Sequence, residues 1–137
     1  MKFSEEASER LGDRQIVYRK KVSPVRLQEL MGGVDVNLAP LRINRFTNCK
    51  SELKFFEAGA VETTTIASPS YAFKEAISDN ENGVLAKKDE WFRKIKYLYE
   101  NPKENLKLAK AAKKTAMKEY YGRKMKEKIE QAFERLT

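Results

Sequence analysis

One stretch, Asn48 to Ser70 (NCKSELKFFEAGAVETTTIASPS), limits the possible folds of this chain more than any other. It joins a polar, basic lead-in to an amphipathic segment, and then to a β-branched run that ends in Ser-Pro-Ser. Ser51 has the side chain of a helix N-cap, able to accept a hydrogen bond from a free first-turn N–H. Glu52 follows, where negative charge suits the positive end of the helix dipole. Leu53, Phe56, Ala60 and Val61 recur at helical spacing, with Glu57 beside that stripe. The helix is expected to fade near Glu62, and Thr64, Thr65, Ile66 and Ala67 read as a buried strand. A helix, a strand and a turn at the strand's carboxyl end make half of an α/β nucleotide-binding unit.

The flanking sequence fits around that unit. Residues 4–12 (SEEASERLG) have a capped-helix pattern, and Gln15 to Arg19 reads as a strand through Ile16, Val17 and Tyr18. Ser23-Pro24 opens another helix with Pro at its first position. Leu27, Leu30 and Met31 form its stripe, and Gly32-Gly33 ends it. Val34 to Ala39 is a further strand, stopped by Pro40. Strand, helix, strand in this order predicts parallel pairing through a right-handed crossover. Residues 41–50 (LRINRFTNCK) read as a polar loop at a strand's carboxyl end, where open α/β sheets place their ligands. After Ser70 come a one- or two-turn helix around Lys74–Ile77 and a turn over Asp79–Gly83 (DNENG), with Tyr71 and Phe73 available to stack on a base or to cover the helix. A short strand follows at Val84–Ala86. Asp89 is placed to cap a helix in which Trp91, Ile95, Leu98 and Tyr99 share a face, broken at Pro102. Leu106, Ala109, Ala112 and Ala116 imply a second tail helix, and Tyr121, Met125, Ile129, Ala132 and Leu136 a third.

Composition removes several chemistries. The chain contains no histidine, which excludes Ser-His-Asp and Cys-His nucleophile systems and His-containing zinc sites. Its single cysteine, Cys49, has no partner for an internal disulfide, which suits a reducing cytosol. No apolar run approaches the roughly 18 residues of a membrane span. The net charge of +8 is uneven. Residues 1–86 hold 12 basic and 12 acidic residues, whereas residues 87–137 hold 16 and 8 and carry the whole excess. A basic tail with Lys110, Lys113, Lys114 and Lys118 on one face has two readings: a solvated helix surface, or a site for nucleic acid or an anionic membrane.

KSELKFFEAGAVETTTIASPS, followed by EAI and NENGVLA, resembles the carboxyl-terminal half of a glycosyltransferase of the GT-B fold. More narrowly it is similar to the retaining "group 1" (family 4) enzymes of bacterial surface-polysaccharide synthesis. The likeness runs from about Leu27 to about Tyr99, and more loosely to the end. It implies an α/β fold: a partial Rossmann-like parallel sheet of about four strands with a helical C-terminal tail. Residues 1–100 would form a partial nucleotide-sugar-binding domain, with residues 101–137 as basic helices packing on it.

The resemblance also implies a chemistry. A nucleotide-diphosphate sugar would be bound and its sugar transferred to a saccharide or lipid-linked acceptor. Glu57 matches the family carboxylate that accepts hydrogen bonds from the donor's ribose hydroxyls. The diphosphate would meet the start of the Ser51 helix, with its free N–H groups, Glu52 and Leu53 in the first turn, and Lys50 and Lys54 as cations. Arg42 and Arg45 could add charge. The family's second glutamate, eight positions before Glu57, is replaced by Cys49, and Lys50-Ser51 stand where glycines are usual. Asn48 or Ser51 could substitute in holding the transferred sugar. Ser68, Pro69 and Ser70 are expected to line the base or sugar side of the pocket, or to be a plain strand-ending turn. The catalytic residue is not assigned. No metal and no cofactor beyond the donor itself is expected.

Two strands typical of the donor domain have no counterpart, and nor does an acceptor-binding domain. The resemblance therefore implies a fragment or truncated product that requires the missing domain or a partner chain, or one that self-associates through an unpaired sheet edge. A cytoplasmic location, including the inner face of the membrane, goes with this reading. The alternative readings are a small basic adaptor for nucleic acid (the less favoured partner) or anionic membrane, and a non-catalytic remnant.

Overall fold

The computed structural model describes residues 19–120 together with Glu127 and Gln131. The expected helix at 4–12, the expected strand before Arg19 and the expected helix after Tyr121 lie outside the described residues. The elements are α1 (Pro24–Gly32), β1 (Val36–Ala39), α2 (Arg45–Asn48), α3 (Leu53–Ala60), β2 (Thr64–Ala67), α4 (Tyr71–Ala76), β3 (Val84–Leu85), α5 (Trp91–Glu100) and α6 (Pro102–Tyr120). Among the described residues the sheet has three strands in the order β1-β2-β3, all parallel. Val36 pairs with Thr64 and Ile66 with Val84. Each parallel step needs a crossover connection, and helices supply it.

All four residues of β2 are buried, as expected of a central strand covered on both faces. Side chains alternate across it, so Ala67 joins one core and Ile66 the other. The first core holds Phe55 and Phe56 of α3, Phe73, Ile77, and Ala112 and Ala116 of α6. The second gathers Val84, Ala86, Leu98 and Leu108, with Val36 and Trp91 at its border. Three consecutive buried threonines, Thr63 to Thr65, run into and through the start of this strand, and each hydroxyl is satisfied. Thr63 donates to Met31 O (2.8 Å) and Thr64 to Asn105 O (2.9 Å), while Thr65 accepts from Asn37 Nδ2 (3.1 Å). Buried hydroxyls must be paired, and these tie β2 to α1, α6 and β1.

Helix boundaries follow local chemistry. Ser23 accepts from Arg26 N, and Pro24 opens α1 as expected. Residues 41–50 are not all loop: Asn44 and Thr47 form a reciprocal capping box that winds α2. Helix α3 begins later than expected, with Glu52 rather than Ser51 at the N-cap position and no side-chain cap. It ends in a Schellman pattern, with Thr63 N donating to Ala58 O and Glu62 N to Gly59 O (both 2.9 Å). Glu62 takes the left-handed position (φ 59°) that glycine usually fills, and its carboxylate meets Lys113 Nζ at 3.0 Å. Helix α4 starts at Tyr71, earlier than the expected Lys74, with Ser70 preceding it. Helix α5 is preceded by Glu90 rather than Asp89 at the N-cap position.

The buried face of α3 is Phe55, Phe56, Ala58 and Gly59, not the stripe expected through Leu53, which is 56% exposed. Gly59 lets α3 approach α6: a Cβ there would lie 2.9 Å from Ala112 O and 3.2 Å from Ala112 C. A backbone carbonyl inside a packed helix cannot swing aside as a side-chain tip can. Gly59→Ala is therefore expected to destabilise the protein by about 1–3 kcal/mol despite its higher helix propensity. Urea unfolding measures this, and unchanged or raised stability would show that the two helices are not in contact at this point.

Candidate functional site

Two cavities lie around the stretch singled out by sequence. The first, of about 390 Å³, opens at the start of α3 and is lined by Gln28, Ser51, Glu52, Leu53, Phe56, Glu57 and Tyr120. Four residues expected at the site therefore meet here: Ser51, Glu52, Leu53 and Glu57. Glu57 is half-buried on the helix flank beside the Phe55–Phe56 face. Sequence reasoning missed Gln28 and Tyr120. Tyr120 follows Ala112 and Ala116 at four-residue intervals, so the repeat carried the signal; nothing in the sequence marks Gln28 apart from other polar helix positions.

Tyr120 OH donates to Glu52 Oε1 at 2.8 Å, and its ring packs on Phe56. The end of α6 thus closes over the first turn of α3. The cavity wall carries two carboxylates, an amide and no cation. Such a wall matches a ligand portion rich in hydroxyl donors rather than an anion. Lys50 and Lys54 are both exposed and outside this lining. Lys50 Nζ sits 5.3 Å from the Phe46 ring centroid, and the Lys54 main chain accepts from Asn37 Nδ2 (3.2 Å). An anionic group attached to the cavity's occupant would have to reach outward to meet them.

The second cavity, of about 780 Å³, lies at the carboxyl ends of all three strands, between the loops after β1, β2 and β3. Ser68 and Pro69 line it; Ser51 and Glu57 do not. The remaining expected residues are elsewhere. Asn48 Oδ1 accepts from Tyr71 N (3.2 Å), joining α2 to α4. Ser70 is 1% exposed, with its hydroxyl unpartnered among the described residues. Tyr71 is exposed and Phe73 belongs to the core. Arg42 borders the second cavity, while Arg45 lies in α2 and borders neither.

Of the four tail lysines expected on one face, Lys113 has a carboxylate partner, Glu62, at 3.0 Å. Among the described residues no helix is long and apolar enough to cross a membrane.

A family model described as glycosyl transferase-like matches residues 4–131. The chain belongs to the glycosyl transferase-like family. Solved structures agree on the fold. The C-terminal domain of the glycosyl transferase group 1 family protein LpcC from Francisella tularensis matches with 22% identity and a TM-score of 0.74. That match covers 89% of this glycosyl transferase-like chain and 63% of the Francisella domain. The Anabaena protein Alr3699/HepE, solved in complex with UDP, matches with 18% identity and a TM-score of 0.61, over 77% of this chain and 29% of its own. This chain thus spans less than two thirds of either relative. The α/β architecture with a parallel sheet and a helical C-terminal region is that of a GT-B C-terminal domain. No individually curated protein matches the sequence.

Burial first, and then the hydrogen bond to Glu52 and its charge, push the Tyr120 phenol above its ordinary 10.0. Tyr120 therefore keeps its proton in the folded state at pH values where the unfolded chain loses it. This contribution to stability is full below pH 10 and falls as pH rises beyond it. Tyr120→Phe is expected to cost about 1 kcal/mol at neutral pH and to flatten the alkaline fall. Denaturant unfolding on either side of pH 10.0 checks this, and an equally steep fall in the variant would contradict it.

Proposed function

We propose that this glycosyl transferase-like chain forms part of the donor-binding domain of a nucleotide-sugar-dependent glycosyltransferase. Residues 1–100 would form the donor-binding portion and residues 101–137 the helices packed on it. The observation that carries the reading is Glu57: its carboxylate borders a cavity at the start of α3, on a wall that offers hydrogen-bond acceptors and no cation. A forked carboxylate suits the vicinal hydroxyls of a ribose. With the ribose there, the diphosphate extends to the open rim, where Lys50, Lys54 and the first-turn N–H groups of α3 can meet it. Positive charge at that rim would stabilise the negative charge that develops on the leaving nucleotide as the sugar bond loosens. Ser51, or Asn48 at the end of α2, would hold the transferred sugar's hydroxyls in place of the family's second glutamate.

The UDP held by the Anabaena relative supports a uridine nucleotide as the first ligand to try. The transferred sugar would pass to a saccharide or lipid-linked acceptor, with retention at the anomeric carbon by family analogy. The acceptor-binding domain would come from elsewhere in the same protein or from a partner chain. The outer edge of β1 supports such an arrangement: it is unpaired among the described residues, and Leu38 beside it is 46% exposed. A group 1, family 4 enzyme of polysaccharide synthesis, working at the inner face of the membrane, is the finer form of this reading.

Calorimetric titration with UDP tests it. Saturable binding is expected, weakened about tenfold or more in Glu57→Gln, because the variant loses one charge-assisted contact. No binding by the wild-type chain, or equal binding by the variant, would remove Glu57 from the site.

A further inference from the structure

The larger cavity has a chemistry unlike that of the first. Its wall carries three cations, Arg42, Lys87 and Lys88, together with the indole of Trp91 and the Ser68 hydroxyl. None of the three cationic side chains has an ion pair or hydrogen bond to a described residue. Of the acids nearby, Asp89 is exposed and outside the lining, and Glu90 and Asp79 are already engaged. Glu90 accepts from Lys87 N (2.9 Å) and meets Lys94 at 3.5 Å and Arg93 at 3.4 Å. The Lys87 N–H first, with Lys94 and Arg93 adding, holds this carboxylate below its ordinary value. Asp79 accepts from Leu85 N (2.7 Å) and lies 3.9 Å from Lys94.

The wall is also held in place. Ser68 Oγ accepts from Leu41 N (2.8 Å) and Thr47 Oγ1 donates to Arg42 O (2.6 Å), so two buried hydroxyls fix the backbone that carries Arg42. Ala86 N donates to Ala67 O (2.8 Å), and Lys94 donates to Leu85 O, which fix the strand end before Lys87. Three uncompensated cations on a fixed rim call for an anion. The cavity volume of about 780 Å³ leaves room for more than a bare phosphate and falls within the usual range for small-molecule sites. The Trp91 ring offers a flat apolar surface of the kind that packs against the C–H face of a sugar.

We propose that this second cavity binds a phosphorylated saccharide, with Arg42, Lys87 and Lys88 taking the phosphate and Trp91 taking a sugar ring. It is a site separate from the Glu57 cavity, and the proposal rests on the reading above only in treating the ligand as a sugar.

The protein provides its own reporter, because Trp91 is the only tryptophan. Its fluorescence, excited where tyrosine does not absorb, is followed while the full chain is titrated with glucose 6-phosphate at constant ionic strength. Glucose and inorganic phosphate serve as separate titrants. The expected result is a saturable change with glucose 6-phosphate and weaker responses to both components. The Lys87→Gln/Lys88→Gln double variant is expected to bind about tenfold or more weakly, through loss of two charged donors. Both side chains are exposed, so its thermal unfolding should match that of wild type. Glu57→Gln is expected to bind glucose 6-phosphate as wild type does. No saturable response, equal affinity for inorganic phosphate, or an unaffected double variant would each overturn the proposal. UDP binding that persists alongside any of these results would leave the donor reading standing and remove only this one.

Discussion

The close approach of α3 and α6 is the contact on which the rest of the structure depends. Gly59 has no side chain, and Ala112 and Ala116 have only a methyl each, so the two backbones come near enough to bury Phe55 and Phe56 beneath them. That contact has two consequences. It covers one face of β2, which completes the burial of the central strand. It also carries the end of α6 across the first turn of α3, where Tyr120 and Glu52 close one side of the cavity that holds Glu57. Core and candidate site are therefore built by the same helix pair.

The order of elements was legible wherever the chain signals were local and unopposed. Ser23-Pro24 opens α1, Gly32-Gly33 follows it, and Thr64–Ala67 is a strand, because capping chemistry and β-branched runs act over a few residues. Local signals failed where a stronger neighbour intervened. Ser51 is a good cap in isolation, but the helix begins at Leu53, where Phe55 and Phe56 can both reach the core. The stripe through Leu53 was misjudged for the same reason: adjacent phenylalanines and a glycine define the buried face, and Leu53 is left outside. In α2, the Asn44–Thr47 capping box winds a turn that a reading of the segment as polar loop overlooks.

The site was legible only in part. Glu57, Ser51, Glu52 and Leu53 converge because they share one helix start, a relation visible along the chain. The partners that complete the cavity are not sequence neighbours: Gln28 lies on α1 and Tyr120 at the far end of α6. Such convergence depends on tertiary packing, which spacing alone does not encode. The cations show the same dependence on packing. Lys50 and Lys54 flank the helix in sequence, yet the cationic cavity is assembled from Arg42, Lys87 and Lys88, brought together because parallel strands place all their carboxyl ends on one side. The start of α3 thus carries a pocket with two carboxylates, and the carboxyl end of the sheet a separate pocket with three cations.

The central claim is that a nucleotide docks against the first turns of α3. Amide NMR spectra of the isotope-labelled chain, recorded during addition of UDP, locate binding residue by residue. The largest shifts are expected at Ser51, Glu52, Leu53 and Glu57, with Gln28 of α1 responding as well. Shifts confined to the α6 surface, or the absence of any shift along α3, would contradict it.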